Sequence, residues 1–137
     1  MILSLFGTIL SISSAAAATT LPAQEWATLR QIAAEYGLSN EGTWLLAAIR
    51  IQENGRPGLE FGIGGPMKSG HRAHRYRDGV SSFRVQCAWA AGTIRKRYTG
   101  DLCAFGKRYN PHNAVVWTKN VASIITRLKR LHNGVLP

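Results

Sequence analysis

Apolar residues recur along the chain at the three- and four-residue spacing of amphipathic helices, in four stretches separated by glycine, proline and other turn residues. No alternation of apolar and polar residues typical of a strand extends beyond a few positions. The pattern therefore predicts an all-α protein, or a mainly α protein with a small hairpin. The predicted helices cover residues 22–36, 40–53, 81–98 and 112–132, and candidate capping residues before the first three are Thr20, Asn40, and Ser81 or Ser82.

The second stretch differs from the others because it is apolar around most of its circumference. Such a helix is typically buried in the middle of a domain. The segment that follows, residues 54–79, holds seven glycines and two prolines and keeps no helical or strand period. A loop of this length inside a compact domain is usually functional or poorly ordered. The whole chain has 137 residues, enough for a single domain with one core.

Residues 1–18 contain no charged side chain and end in a run of alanines. This pattern predicts a signal peptide cleaved after Ala18, a mature domain over residues 19–137, and a secreted or periplasmic protein. The segment lacks the basic residues that usually precede the apolar core of a signal peptide. An uncleaved membrane anchor and a buried first helix therefore stay open as alternatives.

Basic residues strongly outnumber acids, with 17 Lys and Arg against 7 Asp and Glu and a formal net charge of +10. Such a charge predicts polyanionic partners: bacterial cell wall, an anionic membrane surface or nucleic acid. A solvated basic surface without a specific partner is the alternative. Nucleic acid is not expected as a partner of an exported protein, and we expect a monomer.

The chain has two cysteines, Cys87 and Cys103, separated by fifteen residues in the sequence. In an exported protein this pair could form a disulfide that closes the intervening segment into a loop. Two buried free thiols are the alternative, because sequence does not show whether the two residues approach each other. Neither cysteine belongs to a CxxC pair, and the four histidines show no metal-binding spacing. We therefore expect neither a metal site nor a cofactor.

Five of the seven acids occupy positions with ordinary structural explanations. Two lie on the outer face of the first helix, one is in the first turn of the second helix, and two are in turns or caps beside glycine. In that order they are Glu25, Glu35, Glu41, Asp78 and Asp101.

Glu53 is the exception, because it ends the most apolar helix directly before Asn54 and Gly55. The partial negative charge of a helix C-terminus and the apolar surroundings both favour the protonated carboxyl. A general acid needs that form to protonate a glycosidic oxygen. The alternative is an exposed helix-end carboxylate paired with Arg50 or Arg56.

Residues 45–66, LLAAIRIQENGRPGLEFGIGGP, resemble the catalytic segment of lysozyme-like lytic transglycosylases and bacterial glucosaminidases. In those families a helix rich in Leu, Ala and Ile ends in a Glu that a small-residue loop follows. The likeness is carried by Ile49, Glu53, Asn54, Gly55, Phe61, Gly62 and Ile63. The chain departs from the commonest pattern by having Asn54 where Ser is usual, and by lacking the Gly-Leu-Met-Gln run of transglycosylases. Residues 83–98 and 108–121 resemble the later helices of such domains.

The resemblance implies a lysozyme-like domain that cleaves the β-1,4 glycan backbone of peptidoglycan, with Glu53 as the catalytic acid. It also implies that Tyr109 and Asn110 line the sugar groove. Tyr76 and Tyr109 are candidates for stacking on sugar rings, with core packing as the alternative.

Glu60 is the candidate for a second catalytic carboxylate, because it follows Glu53 by seven residues on the loop. Binding to Arg56 or to the loop backbone would give Glu60 a structural role instead. Mechanisms in which the substrate assists need only Glu53.

The competing function is a basic, non-catalytic binding module for an anionic polymer such as cell wall or nucleic acid. Its candidate centres are the segment HRAHRYR, residues 71–77, and the final helix. A non-catalytic relative that serves in adhesion is a third hypothesis.

Overall fold

The computed structural model describes residues 20–64 and 80–137 and is mainly helical over those ranges, which confirms the predicted helical class. Neither range contains a strand, and a hairpin in residues 65–79 would lie outside them. The described helices are α1 (Ala23–Glu35), α2 (Asn40–Glu53), α3 (Ser81–Arg97), α4 (Leu102–Tyr109) and α5 (Ala114–Leu131).

Helix α2 is the centre of the domain, as its apolar circumference predicts. It contacts α1, α3 and α5, while α4 packs on α5 and α1 packs on α3. Eight consecutive residues, Gly42–Ile49, are buried in these contacts. Burial of each large aliphatic side chain among them contributes about 1.5–3 kcal/mol. The core therefore fixes the position of the C-terminal end of α2, where Glu53 lies.

The capping residues predicted for the first, second and third of the four predicted helices are wrong by one or more positions. Ser39 caps α2 instead of Asn40, and its hydroxyl accepts a hydrogen bond from the Gly42 amide at 3.1 Å. Helices α1 and α3 start after Pro22 and Val80 without a side-chain cap. Thr20 contacts the His132 ring instead, at 3.4 Å from its Oγ1 to Nε2. The helix positions nevertheless agree with the apolar pattern because packing determines them.

Helix α4 occupies the segment that the sequence predicts to be irregular. Asp101 caps it as predicted, accepting a hydrogen bond from the Ala104 amide at 3.1 Å. The sequence does not predict this helix because it contains Gly106, and glycine is a poor helix former. The structure needs glycine there, since a Cβ atom would lie 2.3 Å from Thr118 Oγ1 on α5. Close packing of α4 on α5 therefore overrides the propensity.

Of the two alternatives for Cys87 and Cys103, the structure has free thiols and not the disulfide. Cys87 is fully buried on α3, whereas Cys103 is exposed on α4. Burial raises the pKa of the Cys87 thiol, which outweighs the opposing effect of the nearby Arg84 guanidinium. Cys87 therefore behaves as a small apolar core residue.

The predicted signal peptide, residues 1–18, lies outside the described residues. Within residues 20–64 and 80–137, no helix is both long enough and apolar enough to cross a membrane.

Candidate active site

Glu53 is the last residue of α2, and its side chain is half-buried. The indole Nε1–H of Trp117, on α5, donates a hydrogen bond to Glu53 Oε1 at 3.0 Å. Within the described ranges, this is the one hydrogen bond that the Glu53 side chain makes, and Oε2 has none. A neutral donor therefore fixes one carboxyl oxygen, and the other has no partner among the described residues.

Gly62 forms the wall against which the Glu53 carboxyl lies. Its φ of +72° is in the left-handed region that favours glycine. A Cβ atom at this position would lie 2.6 Å from Glu53 Oε2 and 2.8 Å from Cδ. Any side chain at residue 62 would therefore displace the carboxyl.

The ion pair that would give Glu53 a structural role is not formed with either candidate arginine. Arg50 binds Glu25 on α1, with its Nη2 at 2.9 Å and its Nε at 3.1 Å from the same carboxylate oxygen. Arg56 is exposed and makes no ion pair with any described residue. The position predicted for Glu25, on the outer face of α1, is wrong, because Glu25 is half-buried in this pair. Glu35 is exposed as predicted.

The loop after Glu53, residues 54–64, makes four hydrogen bonds with one buried side chain, Gln86 of α3, which is 0% exposed. Its Oε1 accepts hydrogen bonds from the amides of Phe61 and Ile63, each at 3.2 Å. Its Nε2 donates to the carbonyls of Gly58, at 3.0 Å, and Ile63, at 2.6 Å. The amide thus uses two acceptor positions and both N–H groups on the loop backbone. The loop position relative to α3 is fixed by these bonds.

Glu60 is inside the same loop and only 3% exposed. Its Oε1 accepts hydrogen bonds from the Gly58 amide, at 3.0 Å, and from the Ser82 hydroxyl, at 2.5 Å. Its Oε2 is buried without a partner among the described residues. Glu60 therefore ties the loop to the start of α3, and this environment favours the structural alternative over a second catalytic carboxylate.

Tyr109, at the end of α4, supports the loop from the other side. Its hydroxyl donates to the Phe61 carbonyl at 2.7 Å. The ring stacks on Trp117, with centroids 5.3 Å apart, and on Phe105, with centroids 5.5 Å apart. Burial, the nearby Glu53 carboxylate and the Cys87 thiol all raise the pKa of Tyr109. The structure thus brings Tyr109 beside the candidate acid, but with its hydroxyl bound to the protein backbone.

The other predicted sugar-contacting residues have different outcomes. Asn110 directly follows Tyr109 as the C-cap of α4 and is half-buried. Tyr76 lies outside the described residues, as does the whole basic segment 71–77.

Trp117 and Gln86 are the site residues that sequence reasoning does not assign to the site. Trp117 lies on the apolar face of the last helix, so the pattern predicts a core residue and not a hydrogen-bond partner of Glu53. Gln86 lies between Val85 and Cys87 on α3, and its polar side chain gives no signal of burial. The glycine at position 62, by contrast, belongs to the motif that singles out Glu53.

No group of three or more potential metal ligands occurs in the described ranges. The candidate site consists of the Glu53 carboxyl group, the Trp117 indole that donates to it, and the loop whose Gly62 packs against it. Comparisons of the chain with protein-family models, with curated proteins and with solved structures find no match.

Proposed function

We propose that this protein is a lysozyme-like enzyme that cleaves the glycan of bacterial cell wall, with Glu53 as its general acid. The observation that carries the proposal is the environment of the Glu53 carboxyl. A buried helix ends at this residue, Trp117 holds one of its oxygens, and no described residue forms an ion pair with it. A carboxyl group arranged in this way is suited to giving a proton to a bound ligand.

The chemistry of glycoside cleavage requires such a proton. The leaving sugar departs as an alkoxide unless its glycosidic oxygen is protonated as the bond breaks. An arginine or lysine beside Glu53 would favour the ionised carboxylate and oppose this step. The indole of Trp117 instead orients the carboxyl through Oε1. In this proposal Oε2, which lies over the Gly62 backbone, delivers the proton to the substrate.

The surroundings of Glu60 favour a mechanism with one catalytic carboxylate. Glu60 is buried and already binds Gly58 and Ser82, so a substrate would have to open the loop to reach it. We therefore assign Glu60 to holding the loop. The second role, stabilising the positive charge that develops on the sugar, falls to the substrate's own acetamido or hydroxyl group.

The charge of the chain supports cell wall as the substrate. A net charge of +10 attracts an anionic polymer, and the basic residues in the last turns of α3, α4 and α5 are largely exposed. We propose that the protein is exported, acts as a monomer on peptidoglycan strands and uses no cofactor.

The test compares wild type with Glu53→Gln on purified cell wall. Gln keeps the shape of the side chain and an acceptor for the Trp117 indole but has no proton to give. We expect loss of wall digestion with unchanged melting temperature and unchanged, salt-sensitive adhesion to the wall. A binding module without catalysis would instead show adhesion and no digestion in either protein. Equal digestion by both proteins would reject Glu53 as the acid.

A further inference from the structure

A groove with a volume of about 590 Å³ runs along the outer side of α3 and ends beside the loop that follows Glu53. It lies between the C-terminal end of α1 and the second half of α3. The residues that line it are Tyr36, Ile63, Ala88, Trp89, Gly92, Thr93, Lys96 and Arg97.

The groove has a floor of small residues between two aromatic side chains. Ala88 and Gly92 are one turn apart on α3, and the half-buried rings of Tyr36 and Trp89 line the same space. A Cβ atom at Gly92 would lie 3.3 Å from Tyr36 Cε1, so glycine gives the ring room to approach α3. Aromatic side chains beside such a floor suit a ligand with an apolar face, such as a sugar ring or a peptide side chain.

Two cations, Lys96 and Arg97, lie at the end of the groove that is farther along α3. Both side chains are exposed, and neither forms an ion pair with an acid in the described ranges. Arg95, on the same turn, is used structurally, since its Nη1 donates to the Tyr36 carbonyl at 2.6 Å. Lys96 and Arg97 therefore give the groove positive charge that can bind a carboxylate of a ligand.

The groove reaches the loop that borders the candidate active site. Ile63 lines the groove, and the preceding residue, Gly62, forms the wall against the Glu53 carboxyl. Gln86 fixes Ile63 through both its amide and its carbonyl, and Gln86 lies on the same helix as the groove floor. These bonds hold the loop residue that lines the groove against the helix that forms the groove floor.

We propose that this groove binds the acidic peptide attached to the glycan, an inference that rests on the proposed function. Peptidoglycan carries short peptides with free carboxylates on alternate sugars, so a strand bound at Glu53 presents such a peptide to its surroundings. The aromatic walls contact the apolar parts of the peptide, and Lys96 and Arg97 bind its carboxylates. The substrate would accordingly be glycan that still carries its peptides.

The experiment measures binding by the Glu53→Gln protein, in which a ligand is not consumed if Glu53 is the acid. The ligands are a cell-wall disaccharide that carries a tetrapeptide with free carboxylates, and the same compound with those carboxylates converted to amides. We expect the free acid to bind roughly fivefold more tightly, as two exposed ion pairs would produce. Adding Lys96→Gln and Arg97→Gln should remove this preference.

The matched control adds Lys107→Gln and Arg108→Gln in the last turn of α4, which removes the same charge from exposed positions outside the groove. This control should keep the preference for the free acid. Equal affinities for acid and amide, or equal losses in both double variants, would overturn the proposal. These outcomes are independent of the proposed function, which fails separately if Glu53→Gln digests cell wall like wild type.

Discussion

Glu53 ends α2 directly before the glycine-rich loop and Glu60 lies within that loop, but the surroundings of the two carboxyl groups differ. Glu53 is half-buried at the end of a helix, with one neutral donor on one oxygen. Glu60 is 3% exposed, with an amide and a hydroxyl bound to one oxygen. Although Glu53 and Glu60 are only seven positions apart in sequence, they do not share one environment as a catalytic pair would. Glu53 makes one hydrogen bond with the described residues, whereas Glu60 bonds the loop backbone and the start of α3.

The largest expected effect on stability is that of Gln86→Ala, which removes four hydrogen bonds to the loop. Buried amides and carbonyls of the loop would lose their partners, so we expect a loss of about 2–4 kcal/mol in the free energy of unfolding. The measurement is urea unfolding followed by circular dichroism. The matched control is Gln31→Ala at an exposed position on α1, which should change stability by less than about 0.5 kcal/mol. Equal effects of the two variants would contradict the role assigned to Gln86.

Alkaline pH tests the packing on the Glu53 side of the loop. Burial raises the pKa of both Cys87 and Tyr109, so the folded state keeps protons that the unfolded state loses. The contribution of these two groups to the free energy of unfolding is therefore fully present below the ordinary thiol pKa of about 8.5 and falls as pH rises above it. The fall becomes steeper above about pH 10, where tyrosine ionises in the unfolded state. Urea unfolding from about pH 8 to about pH 11 measures both parts of the slope. Tyr109→Phe should lessen the steeper part, and the remainder comes from Tyr98, whose pKa burial also raises. An unchanged slope would show that the phenol of Tyr109 is not protected.

A smaller effect is expected from Trp117→Phe, which keeps an aromatic ring but removes the donor to Glu53. The carboxyl would lose its orientation, and we expect kcat to fall about tenfold. Trp26→Phe is the matched control, because the buried indole N–H of Trp26 has no partner among the described residues. Both variants lose similar volume in the core, so a common loss of activity would indicate packing and not the hydrogen bond.

The smallest effect is expected from Glu60→Gln. The amide oxygen can still accept the hydrogen bonds from Gly58 and Ser82, so activity should stay within a few-fold of wild type and stability within about 1 kcal/mol. Steady-state rates on cell wall measure this directly. A loss as large as that of Glu53→Gln would restore the paired-carboxylate mechanism.

Periodicity alone predicted most of the fold, because α1, α2, α3 and α5 bury apolar stripes that are visible in the sequence. Helix α4 was not predicted, because Gly106 lowers the helix propensity of its segment. The same glycine allows the close contact of α4 with α5. The sequence also left open whether Cys87 and Cys103 form a disulfide, since spacing does not show that Cys87 is buried and Cys103 is exposed.

The candidate site was predictable only in part. The position of Glu53 at the end of an apolar helix singled it out, but nothing in the spacing connects it with Trp117, which follows 64 positions later. The role of Gln86 was equally unpredictable, because a glutamine in a helix gives no sign that its side-chain amide binds a loop. Contacts made across such separations depend on how the helices pack, and a single sequence does not specify them residue by residue.

The most direct test of Glu53 as the general acid compares two leaving groups. One substrate is a chitooligosaccharide that releases a sugar, and the other is its dinitrophenyl glycoside, whose leaving group departs without protonation. We expect Glu53→Gln to lower kcat/KM by about two to four orders of magnitude on the first substrate, the usual contribution of a positioned acid. On the second the loss should shrink to less than about tenfold, because no proton is needed. Equal losses on both substrates, or no loss on either, would contradict the role of Glu53 as the proton donor.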